Sequence, residues 1–125
     1  MKLFTCNQFT DCFSNPVGVA DPSVISNNQI KARSESNGYS QAFYGRLNAK
    51  YGNGWCSSLP NSNNEWLQVD IGIIIQACGL ATQGDKEWNL KGRWVTAFKL
   101  SYSLDGTNWE TYRNETGGEM VRFKE

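Results

Sequence analysis

The chain has 125 residues, with twelve basic and twelve acidic side chains and no histidine, a length suited to one domain that buries roughly two-thirds of its unfolded surface. Zero net charge removes the broad field that draws proteins onto nucleic acid, and without histidine the commonest general base and the usual activator of a Ser or Cys nucleophile are missing. The longest uncharged apolar run, Ile71 to Ile75, is far shorter than the ~20 residues of a membrane-spanning helix.

In chain order, residues 1–11 show no periodicity and read as an arm or linker, and the domain is expected to run from residue 12 to 125. Pro16, Gly18, Asp21 and Pro22 punctuate its first loops. A short extended stretch follows from Ile25 to Arg33, and then a turn-rich segment, Ser34 to Ser40, that carries Tyr39 as an exposed aromatic. Trp66 to Ile71 alternates, with Leu67, Val69 and Ile71 on one face and Trp66, Gln68 and Asp70 on the other, and is predicted to be a strand. Val95 to Ser103 repeats the pattern. Asp105-Gly106 then turns the chain into a return strand at Trp109 to Tyr112, because Asp-Gly accommodates the positive φ angles of a hairpin. Val121 to Phe123 begins another strand. Five Trp, five Tyr, six Phe and twelve Gly suit short strands joined by turns, and no amphipathic helix, repeat or low-complexity tract is found.

Chemistry-bearing motifs are sparse. A phosphate-cradling GxxxxGK[ST] and a GxGxxG after a strand are both missing. Cys6, Cys12, Cys56 and Cys78 form no CxxC pair, which disfavours zinc, and no dense carboxylate loop suggests calcium. No cofactor or metal is expected. An even cysteine number in a small β chain fits disulfides and an oxidising, extracellular compartment, with three pairings open. No signal peptide is expected within this sequence, since Thr5 to Gln8 interrupt the apolar start. Asn114-Glu115-Thr116 is the single glycosylation sequon, a triplet that also arises by chance.

Six segments together resemble the discoidin (coagulation factor V/VIII type C) domain in order and spacing: Gly45-Arg46-Leu47-Asn48, Gly54-Trp55-Cys56, Trp66 through Gly72, Ala81-Thr82-Gln83-Gly84, Trp94-Val95-Thr96, and Tyr102 through Trp109. The resemblance implies an all-β fold, an antiparallel β-sandwich or distorted jelly-roll barrel of the galactose-binding-domain-like kind. It implies a non-enzymatic binding or adhesion module, normally part of a larger secreted or cell-surface protein. Loops at one end of the sandwich would meet a glycan or an extracellular protein. Anionic phospholipid is the alternative ligand, and a carbohydrate-targeting module of a larger secreted enzyme is a further one.

Within that resemblance the motif residues are mostly structural. Trp66 and Trp109 offer core or edge surface, and Asp70 and Gln83 satisfy backbone groups in loops. Arg46 is expected in a buried salt bridge, with Asp70 as partner. Two loops carry the candidate ligand residues: Ser36 to Tyr44 offers Tyr39 and Phe43, and Asp85 to Arg93 offers Trp88 and Leu90 beside Lys86, Lys91 and Arg93. The alternative role for Trp88 is to cover the open end of its own sandwich. Asp85 and Glu87 offset the cations of the second loop, which favours glycan or protein over lipid. The resemblance also implies a Cys56–Cys78 disulfide, with Cys12 left to pair with Cys6 or remain free, because the sequence stops where the family continues through its last strands to a closing cysteine.

Overall fold

The computed structural model describes residues 1–5, 14–59, 62–85 and 92–122. They form eight short strands and two turns of 3-10 helix, and the chain divides into two compact units, 1–92 and 93–125. Every ladder is a two-stranded antiparallel pair.

In the first unit, β1 (Lys2–Thr5) pairs with β4 (Ala77–Ala81), and β2 (Ile30–Ala32) pairs with β3 (Leu67–Val69). The β2–β3 register sets Ile30 opposite Val69 and Ala32 opposite Leu67. Backbone bonds from Arg33 N–H to the Trp66 carbonyl (3.1 Å) and from Asp70 N–H to the Gln29 carbonyl (2.8 Å) extend it at both ends. The alternation expected for Trp66 to Ile71 holds in part: Leu67, Val69 and Ile71 pack against the core and Trp66 and Asp70 are exposed, but Gln68, expected on the outer face, is half-buried. Residues 2–5, expected in an arm outside the domain, instead form β1. Leu3 packs against the core, and the Leu3 carbonyl accepts the Val17 N–H at 2.8 Å.

The core of this unit is small. Val19, Ile25, Ile30 and Ala42 are buried, with Met1, Leu3, Ala32, Phe43, Leu67, Val69 and Ile71 packed around them. Ala42 lies on η2 (Ala42–Gly45), and η1 (Asn27–Gln29) delivers the chain into β2. η1 opens on a capping box in which Ser26 N–H donates to Gln29 Oε1 at 3.0 Å.

Arg46, immediately after η2, is 7 % exposed. Its guanidinium donates to the carbonyls of Val19 and Ile25 and to Asn27 Oδ1, the last two at 2.7 and 2.9 Å. Burial holds this guanidinium below its ordinary pKa, and the nearby charge of Asp21 acts in the opposite direction. Arg46 is thus buried as expected, but the expected Asp70 partner is a correction. Asp70 is exposed, and its Oδ1 accepts the Gly72 N–H at 2.8 Å. The fork instead satisfies two carbonyls that the 18–27 loop carries into the core, where an unpaired acceptor is costly. Gln83 behaves as the sequence suggests, accepting the Asn48 N–H at 2.8 Å.

The second unit contains β5 (Ala97–Lys99) paired with β8 (Met120–Arg122), and β6 (Ser101–Tyr102) paired with β7 (Glu110–Thr111). The expected hairpin is present, with Tyr102 opposite Glu110. Its connection is longer than a two-residue turn and is organised by one carboxylate. Asp105 Oδ1 accepts the N–H groups of Thr107 and Asn108, both at 2.8 Å, and the Ser103 hydroxyl at 3.0 Å, while Oδ2 accepts Asn108 Nδ2 at 2.7 Å. Gly106 supplies the positive φ of 72°. Trp66 and Trp109 are 45 % and 47 % exposed, which makes them edge surfaces.

Two predictions follow from these polar centres. Arg46→Ala leaves the Val19 and Ile25 carbonyls without their donor, and it should lower unfolding stability by about 3 kcal/mol in urea titrations. An unchanged midpoint would remove Arg46 from this role. The donors to Asp105, led by the Asn108 backbone N–H, hold its carboxyl well below the usual carboxylate range. The carboxylate therefore stabilises its loop above about pH 3.9, the usual unfolded value, and that contribution fades as pH falls through the lower folded value. NMR titration should show Asp105 protonating after the ordinary carboxylates, and Asp105→Ala should expose the Thr107 and Asn108 amides to rapid hydrogen exchange.

Candidate functional site

Two loops of the first unit are joined by their backbones. The first is closed on itself: Glu35 Oε1 accepts the Ala42 N–H at 2.7 Å, Asn37 Oδ1 accepts the Tyr39 N–H at 2.9 Å, and the Asn37 carbonyl accepts the Ser40 N–H at 3.1 Å. The second runs through Asn48 to Gly54 and bends on Asn48, Gly52 and Gly54, with φ of 57°, 80° and 71°. Asn53 N–H donates to the Tyr39 carbonyl at 2.9 Å, Ser36 N–H to the Cys56 carbonyl at 2.9 Å, and Cys56 N–H to the Ser40 carbonyl at 3.4 Å.

This pairing leaves Tyr39 72 % and Tyr51 78 % exposed on neighbouring loops, with Lys50 exposed beside Tyr51. The platform beneath them is rigid for a local reason. The Tyr44 ring lies against Gly52 so closely that a Cβ there would fall 2.3 Å from a ring atom. Tyr44 in turn packs on Phe43, with ring centroids 4.5 Å apart and tilted by 49°.

The base of a third loop reaches the same place. A Cβ on Gly54 would sit 3.8 Å from Asp85 Cβ, and one on Gly92 would sit 2.9 Å from the Asp85 carbonyl. The two described ends of the 85–92 stretch therefore meet beside the Tyr51 loop. Trp88, Leu90 and Lys91, the sequence candidates on that stretch, lie outside the described residues. Arg93 is exposed and opens the second unit.

Among the candidates that are described, Tyr39 projects as expected. Phe43 does not: it is half-buried and packs against the core, because η2 turns that face of residues 42–45 inward. Sequence reading missed Lys50 and Tyr51. The signal was present in Tyr51-Gly52-Asn53-Gly54, an aromatic next to a Gly-Asn-Gly turn, which is the same criterion that selected Tyr39.

With two tyrosines, a lysine and the amides of Asn37 and Asn53 on adjoining loops, the arrangement offers aromatic faces surrounded by hydrogen-bonding groups. The model of the F5/8 type C domain matches residues 29–124, which spans all three loops. The chain belongs to the F5/8 type C domain family. It is 35 % identical over 121 residues to lactadherin of Sus scrofa, covering 91 % of this chain and 28 % of that protein. It is 37 % identical over 112 residues to coagulation factor V of Mus musculus, covering 86 % of this chain and 5 % of that protein. Lactadherin of Bos taurus is 31 % identical over 117 residues, with coverages of 88 % and 27 %. The chain thus spans between about a twentieth and little more than a quarter of these relatives. An F5/8 type C domain is an all-β antiparallel sandwich, in keeping with the strand-rich, antiparallel structure described here.

The cysteines depart from the expected pairing. Cys78 is disulfide-bonded, whereas Cys56 is half-buried and carries a free thiol, so the Cys56–Cys78 bond is not formed. Backbone pairing accounts for the separation: Cys56 is tied to Ser36 and Ser40 of the Tyr39 loop, and Cys78 lies in β4 against β1. The partner of Cys78 is not among the described residues. Alkylation of the denatured, unreduced chain should label Cys56 and spare Cys78 in peptide mass spectra, with Cys78 labelled only after reduction. Equal protection of both thiols before reduction would restore the original pairing.

Proposed function

We propose that this F5/8 type C domain is a non-catalytic extracellular binding module of a larger protein, and that it recognises a glycan or protein ligand through its Tyr39, Tyr51 and 85–92 loops. One observation carries the reading: two largely exposed tyrosines stand on loops hydrogen-bonded to each other and backed by the Tyr44 ring. Such a surface is preorganised, so little ordering entropy opposes binding. Its tips combine aromatic faces with Ser, Asn and Gly, a composition suited to stacking on a sugar ring or seating a polar protein surface. Trp88, Leu90 and Lys91 belong to the same proposal, as the contacts contributed by the 85–92 segment, while Arg93 is proposed by itself as a ligand contact on the second unit. Phospholipid is the competing ligand, since Lys50 beside Tyr51 is a pairing that suits an anionic interface.

A glycan array and a vesicle-flotation assay, run on the wild-type chain and on Tyr39→Ala, Tyr51→Ala and the double variant, distinguish these ligands. For a glycan ligand, each single variant should weaken binding by about tenfold or more, corresponding to about 1.4 kcal/mol, with unchanged circular dichroism. Flotation that rises with phosphatidylserine and falls with salt would replace the glycan or protein reading with a lipid one. Full retention of binding by the double variant would move the site off these loops.

A further inference from the structure

The loop between β7 and β8 contains the Asn114-Glu115-Thr116 triplet, which pattern alone gives little reason to single out. Its geometry gives more. Asn114 Oδ1 accepts three donors: the Thr116 hydroxyl at 2.9 Å, the Thr116 N–H at 3.1 Å and the Gly118 N–H at 2.7 Å. The backbone closes around it through Asn114 N–H to the Gly118 carbonyl (2.9 Å) and Gly117 N–H to the Asn114 carbonyl (2.8 Å), with Gly117 at a φ of 82°. The Asn114 amide lies directly over Gly118, where a Cβ would approach it to 3.1 Å. At the base of the loop, Arg113 and Glu119 form an ion pair at 2.6 Å, and Lys99 joins Glu119 at 2.9 Å. Residues 113–118 are all exposed.

We infer that Asn114 is an N-glycosylation site. The side-chain oxygen is fully engaged, while Asn114 Nδ2 makes no hydrogen bond among the described residues and is available to react. Hydrogen bonds to Oδ1, including the one from the Thr116 hydroxyl that the sequon requires, stabilise charge on that oxygen and ease the loss of an Nδ2 proton. The co-reactant is a lipid-diphosphate-linked oligosaccharide. Nδ2 forms a bond to the anomeric carbon, the carbon–oxygen bond to the diphosphate breaks, the lipid diphosphate leaves, and the Nδ2 proton passes to a base of the transferase. No oxidation or reduction occurs. Every hydrogen bond to Oδ1 spans four residues or fewer, so the reactive turn can form before the long-range strand pairs do, as modification during translocation requires.

The inference rests on the extracellular part of the proposed function and is independent of the ligand. The full chain, carrying a cleavable signal peptide, is translated with eukaryotic microsomes, and the protease-protected fraction is analysed. Wild type and Thr116→Ser should show one upward mobility step that peptide-N-glycosidase removes, leaving Asp at position 114 in the peptide mass spectrum. Asn114→Gln and Thr116→Ala should lose that step. Protease-protected wild type without the step overturns the site and leaves the ligand-binding proposal standing. A modified Asn114 in a chain that binds no ligand upholds the site and counts against the ligand reading alone.

Discussion

The first unit depends on the buried guanidinium of Arg46. With four buried apolar side chains among the described residues, its core is too small to enclose polar backbone without a partner, yet the 18–27 loop brings the Val19 and Ile25 carbonyls into it. A planar, multiply donating cation is the side chain that can satisfy two carbonyls and an amide at once. Its charge is offset by carbonyl dipoles and by Asp21, which Ser23 in turn fixes through two hydrogen bonds. Arg46 therefore ties η2 to the loop that supplies Val19 and Ile25.

What η2 positions then follows. Ala42 and Phe43 face the core, so Tyr44 is delivered to the opposite side, against Gly52. That contact, together with the Asn53–Tyr39 and Cys56–Ser40 backbone bonds, makes two loops into one surface. The exposed tyrosines are thus three steps from the core: guanidinium to η2, η2 to Tyr44, and Tyr44 to the glycine turn. Each step is a packing or hydrogen-bond constraint, so the shape of the surface rests on residues beneath its tips.

Much of this was legible in the residues. Period-two alternation located β3 and its inward face because a half-buried strand must separate apolar from polar side chains, and Asp105-Gly106 marked the β6–β7 hairpin because its connection uses a positive φ at Gly106 and a carboxylate that gathers the following amides. Arg46 was read correctly as buried and wrongly as paired with Asp70, since backbone carbonyls leave no trace in the side-chain sequence. β1 was hidden for a similar reason: four residues are too few to show a period, and its pairing with β4 spans more than seventy positions. The Cys56–Cys78 bond that the resemblance implied was wrong, because four cysteines permit three pairings and backbone topology selects among them.

Charge carries a further consequence for recognition. With basic and acidic residues equal in number, net charge supplies no long-range attraction, and affinity at the proposed site would have to arise from local contacts. Aromatic faces held on a preorganised platform are the efficient means of obtaining it, since a tyrosine buries a large area while losing few rotatable bonds. Under the proposed function, local charge would act as a selector: Lys50 beside Tyr51 would favour ligands carrying negative groups at one edge, while the neutral Ser, Asn and Gly around Tyr39 would favour hydroxyl-rich or amide-rich ones. A binding surface of this composition is expected to discriminate by the shape and hydrogen-bonding pattern of its ligand before it discriminates by charge.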